Sequence, residues 1–134
     1  MTVRRPLVVV SGDTKELPTS DTLSPSLLLP APVALTDATT IATDASLGSH
    51  FRVTLGGNRT LGNPTNLSDG QKLLWELIQD ATGSRTITLG SNFALGTDLP
   101  AVTLTTTASK RDFLGGIYNS TAGKIFVTSL MRGY

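Results

Sequence analysis

The chain has 134 residues, of which 39% are hydrophobic and only 16% charged, with a formal charge of +1. The absence of cysteine excludes disulfides, thiolate nucleophiles and cysteine-based zinc or iron–sulfur sites. Sparse, balanced charge argues against a nucleic-acid-binding face and for apolar surface that a partner covers.

Residues 1–35 form the first segment. Pro6, Pro18, Pro25, Pro30 and Pro32 each fix φ and remove a backbone donor, which favours extended backbone. The run Leu7-Val8-Val9-Val10 with Leu17, Leu23 and Leu27–Leu29 is too apolar for a solvated linker. The segment therefore reads as an arm that lies on another protein. Arg4 and Arg5 are its charged anchors, and Pro6, Leu7, Val8, Val9, Leu17 and Leu23 are its apolar contacts. The run ends too soon, at Ser11-Gly12, for a signal-peptide core, and no stretch approaches the ~20 apolar residues of a membrane span. Cytoplasmic synthesis, with no membrane partner, is the expectation.

Residues 36–134 carry the texture of β structure. Phe51, Val53 and Leu55 alternate with polar residues, as do Ile87 with Leu89 and Val102 with Leu104, so each run predicts a half-buried strand. Between Ser68 and Asp80 two readings compete. Ser68-Asp-Gly-Gln71 resembles a helix-capping box, whereas Leu73, Trp75 and Leu77 share one face of a strand. The strand is preferred, with Asp80–Ser84 turning it into a hairpin with Arg85–Leu89. Asp112–Tyr118 and Lys124–Met131, joined by Asn119–Gly123, predict a second hairpin. Thr54–Gly62 and Thr88–Gly96 are similar to one another and suggest two equivalent corners. There Gly56 and Gly90 would supply positive φ, and Asn58 and Asn92 would bond the turn backbone.

Sequences that carry chemistry are missing. His50 stands alone, no Gly-x-Ser-x-Gly elbow is present, and Gly123-Lys124 lacks the rest of a phosphate loop. Glu76 with Asp112 or Asp98 could form a glycosidase-like pair, but the spacing does not require it. No catalytic residue, metal site or cofactor is predicted, and the chain is not expected to be an enzyme or to bind nucleic acid.

Two segments resemble small structural proteins of tailed bacteriophages, of decoration or tail-fibre type. One is Arg5–Leu23, with its Leu17-Pro-Thr-Ser-Asp-Thr-Leu23 lead-in. The other runs from His50-Phe-Arg-Val-Thr-Leu55 through Asn58–Pro64, Asp69–Gln71, Gly83–Leu89 and Asp112–Gly115 to Tyr118–Thr121. The resemblance implies a virion structural protein and supplies no catalytic residue. Together, residues and resemblance predict an all-β protein: a small antiparallel, jelly-roll-like β-sandwich (36–134) with an extended N-terminal arm (1–35), assembled as a homotrimer. The leading functional expectation is a capsid decoration (cement) protein whose arm straps subunits of the major capsid protein and stabilises the shell. The alternative is a tail-fibre or baseplate component contacting tail proteins, with an adaptor arm and a host-surface, glycan-binding domain in which Trp75, Tyr118 or Tyr134 stack on sugar.

Overall fold

The computed structural model describes residues 30–134, together with the backbone of two short strands before them. The chain divides into two compact units, Met1–Ala31 and Pro32–Tyr134. In the first, β1 (Leu7–Val10) pairs antiparallel with β2 (Asp13–Glu16), placing Val8 opposite Lys15 and Val9 opposite Thr14. Leu7, Val8 and Val9 thus belong to a strand with a local partner, whereas the sequence reading left this run unpaired. Four consecutive strand-forming residues followed by a two-residue spacer favour such a hairpin. Arg4, Arg5, Pro6, Leu17 and Leu23 lie outside the described residues.

The second unit is almost entirely β. In chain order it contains β3 (Val33–Ala34), β4 (Thr40–Ile41), a single 3-10 turn (Ala45–Leu47), β5 (His50–Leu55) and β6 (Arg59–Leu61). There follow β7 (Lys72–Gln79), β8 (Ile87–Leu89), β9 (Phe93–Ala94), β10 (Arg111–Asn119) and β11 (Lys124–Met131). The larger sheet has the order β3-β5-β7-β10-β11-β9 and the smaller β4-β6-β8. From β3 to β9 the chain therefore changes sheet at every step. As far as β8, successive visits to one sheet lie side by side and run parallel: β3 beside β5, β5 beside β7, β4 beside β6, β6 beside β8. The result is a flattened coil of three rungs, completed by the antiparallel strands β10 and β11.

The all-β, two-sheet expectation holds, but the sheets are mixed, with parallel pairs beside the antiparallel ones, where an antiparallel, jelly-roll-like pairing was expected. Alternation with period two identifies strands and their buried faces; it carries no direction. Direction is set at the corners, which here bend the chain into the opposite sheet instead of back beside itself. Asp80–Ser84 shows this: it links β7 to β8 in different sheets, so the predicted hairpin is an inter-sheet corner, with Gly83 and Ser84 at φ of 73° and 60°.

Side chains from both sheets form one core. Phe51, Val53, Leu55, Trp75, Leu77, Leu114 and Ile125 of the large sheet meet Ile41, Leu61 and Ile87 of the small one. Trp75 is central. Its ring stacks on Phe51 with centroids 6.1 Å apart, meets Phe93 edge-on at 5.4 Å, and donates from Nε1 to the buried Thr43 Oγ1 at 3.1 Å. The strand reading of residues 72–79 is correct, with Leu73, Trp75 and Leu77 inward. Ser68–Gln71 is the tight turn before it, where Gln71 Oε1 accepts from the Ser68 amide as in a capping box. The predicted strand at 102–105 is absent, although Leu104 is buried and the Thr105 amide donates to Asp112 Oδ2. The hairpin β10–β11 forms as expected and is bulged at Gly115/Gly116.

The paired corners differ from the sequence reading in mechanism. Neither Gly56 nor Gly90 lies in the left-handed region. Each is needed for close approach. A Cβ on Gly56 would sit 2.8 Å from Asp37 Oδ2, and one on Gly90 only 2.4 Å from Asn63 Oδ1 and 3.0 Å from the Asn63 amide nitrogen. Asn58 Oδ1 accepts from the Thr86 amide, so it joins one rung to the next instead of closing its own turn. Asn92 contributes backbone: its amide donates to Asn63 Oδ1 and its carbonyl accepts from Ile125. Gly90→Ala should therefore cost about 1–3 kcal/mol by overpacking. Gly96→Ala, where a Cβ meets nothing within 4 Å, should change stability by less than about 0.5 kcal/mol. Urea denaturation of the two variants checks the contrast.

Candidate interaction surface

Strand pairing dictates which side chains leave the large sheet on its outer face. Arg52, Glu76 and Phe113 are neighbours across β5, β7 and β10, and Phe113 lies opposite Met131 on β11. Ile117 lies opposite Phe126 in the same way. This face therefore presents Leu74, Ile78, Phe113, Ile117, Phe126 and Met131. Phe126 is 45% exposed and Met131 47%. Tyr134, 63% exposed, continues the patch by meeting the Phe113 ring edge-on at 5.7 Å.

At the centre of this apolar face Glu76 is only 2% exposed. Arg52 Nε donates to its Oε2 and Arg111 Nη1 to its Oε1, each at 2.6 Å. Burial pushes the carboxyl pKa up, but the hydrogen bonds and charges of the two half-exposed guanidiniums outweigh it and hold the group below the ordinary glutamate value. His50 Nε2 lies 3.4 Å from Oε2 and is buried without a hydrogen-bond partner. An ionised carboxylate is tolerable here because both oxygens are satisfied by charge-assisted bonds.

Glu76 projects outward, whereas Asp112, opposite the inward Leu77, projects into the core. Asp112 is occupied by the amides of Thr105 and Gly133. The two carboxylates thus stand on opposite sides of the sheet, so Glu76 and Asp112, one of the two glycosidase-like pairs considered from sequence, do not face each other. Of the three aromatics named as a sugar platform, Trp75 is core and Tyr118 lies on the inner face opposite Ile125, which leaves Tyr134. Sequence reasoning missed this surface, although the i, i+2 series Leu74, Glu76, Ile78 beside Arg52 in an alternating strand carried a trace of it.

The corners hold a second charged feature. Asp37, before the first rung's β4, accepts Arg59 Nε and Nη2 of the second rung, both at 2.8 Å. Hydrogen bonding to Arg59 lowers the Asp37 pKa despite the opposing cost of burial. Asp80 and Arg85 repeat the fork within the third corner. The first pair fixes one rung against the next, and the second holds the corner between β7 and β8.

Residues 35–110, more than half of the chain, match a family described as "Putative phage tail fibre C-terminal domain". No curated protein and no solved structure matches the chain. The matched span begins just after β3 and ends just before β10, so it covers most of the three-rung coil. The chain therefore belongs to this tail fibre family, and it is a small structural protein of a bacteriophage virion.

Proposed function

We propose that this chain is a tail-fibre subunit, and that the second unit joins its neighbours through the outer face of the large sheet as a homo-oligomer, in the reading carried from sequence a homotrimer. The carrying observation is the apolar face around Glu76, whose charge is already satisfied within the chain and so need not be satisfied by a partner. Covering it removes Ile117, Phe126 and Met131 from water while Glu76 keeps its two arginine partners; Lys72, exposed opposite Ile117, then needs an acidic or solvent partner at the interface. The tail-fibre description favours this over capsid decoration, since it names the fibre and gives no support to a capsid partner.

Sedimentation velocity of the full chain tests the reading. The wild type should sediment as an oligomer, and Ile117→Lys with Phe126→Lys as a monomer that keeps the wild-type circular dichroism spectrum and melts cooperatively, at a temperature that no longer depends on protein concentration. A wild type that is monomeric at every concentration, or a double variant that still associates, would overturn it. Glycan binding is supported only by exposed Tyr134 beside Phe113 and Arg111. A Tyr134→Ala variant that loses adhesion to host cells while remaining oligomeric would establish that role separately.

A further inference from the structure

The first rung of the coil has an open edge. In β4 and the residues after it, the carbonyls of Thr39, Ile41 and Thr43 accept from Thr60, Gly62 and Thr65 of the second rung. The alternate residues Thr40 and Ala42 therefore aim their amides and carbonyls away from the coil, as Ala34 does in β3. Among the described residues no strand pairs with β3 or β4 on that side. Beside this edge lies a groove of about 290 Å³ lined by small and aliphatic side chains, among them Ala34, Ala38, Ala42 and Leu47, the last 64% exposed. At one end stands Asp44. Its carboxylate takes hydrogen bonds from Ser46 and Asn66 but has no basic partner among the described residues.

An edge of this kind binds an extended chain by strand addition: main-chain bonds give affinity, and the groove and the charge give selectivity. The occupant must be a short apolar strand with a basic residue close by. Within this sequence Leu7–Val10, with Arg4-Arg5 one residue upstream across Pro6, answers that description. We infer that the β1 strand of a second copy adds to the open first rung, with its arginines facing Asp44. The inference rests on the proposal that copies assemble, and it assigns the arm a seat separate from the outer sheet face. Each copy offers both a strand and an edge at different places, so the contact is heterologous and links copies in series or in a ring.

The absence of native cysteine makes a crossed-disulfide experiment clean. Full-length chains carrying Val8→Cys or Val9→Cys, which cover both faces of the strand, are mixed with full-length Thr40→Cys and oxidised. A disulfide-linked dimer should form between unlike chains. It should be lost when Ala42→Pro, which removes an outward amide but no bond within the coil, is added to the Thr40→Cys chain. Arg4→Ala with Arg5→Ala should weaken the linkage, as should high salt. Absence of the crossed dimer while the wild type still sediments as an oligomer would overturn this inference and leave the sheet-face reading intact. Disulfide closure within a monomer carrying both Val9→Cys and Thr40→Cys would overturn it as well, because the strand would then belong to its own rung.

Discussion

Trp75→Ala is expected to cost about 3–5 kcal/mol, a large share of the roughly 5–15 kcal/mol available to a domain of this size. The loss has identifiable parts. The indole packs on both Phe51 of β5 and Phe93 of β9, so its removal leaves a void between the parallel part of the large sheet and its far edge. It also strips the buried Thr43 hydroxyl of its donor. Trp75→Phe restores most of the ring contact but not the hydrogen bond, and should cost about 1–2 kcal/mol. Guanidinium denaturation should place the two variants in that order; equal losses would show that the hydrogen bond, and not the volume, carries the effect.

The second large effect concerns Glu76 and is best read through pH. Its folded pKa lies below the unfolded value, so its contribution is present above the unfolded pKa and is lost as pH falls through the folded one. Replacing both Arg52 and Arg111 by methionine reverses this. A buried carboxylate without its cations costs about 3–5 kcal/mol at neutral pH, and burial alone then drives its pKa upward. The double variant should therefore be most damaged near pH 7, and its deficit relative to wild type should shrink as pH falls through the raised pKa. Adding Glu76→Gln to that background should restore stability at pH 7 and flatten the difference. Thermal melts of the three proteins between pH 4 and pH 8 check the sign.

Much of the fold was legible because side-chain alternation is a local signal. Phe51-Arg-Val-Thr-Leu55 declares its inward face, and Leu73, Trp75 and Leu77 do the same against a competing helical reading. The hairpin at Asn119–Gly123 announces itself through Asn119, whose Oδ1 accepts from Ala122, and Gly123 at φ of 62°. Sheet assignment was illegible, because whether a corner returns the chain beside itself or into the opposite layer depends on contacts between rungs. Asp37 with Arg59 and Asn63 with Asn92 are more than twenty residues apart, and nothing in either neighbourhood names the other. The same limit hid the outer face. Glu76 among leucines reads as a possible acid, and only the lateral placement of Arg52 and Arg111 shows it to be a neutralised strut.

The rung-on-rung construction also sets how the molecule can vary in size. Backbone pairing joins each rung only to the rungs beside it, and one step along the stack is a single strand spacing of about 4.8 Å. Duplicating the segment from one corner to its equivalent would lengthen the body by that increment while the core repeats its own pattern. Length, in a body built this way, would be counted in strands, and it could grow without redesign of either end.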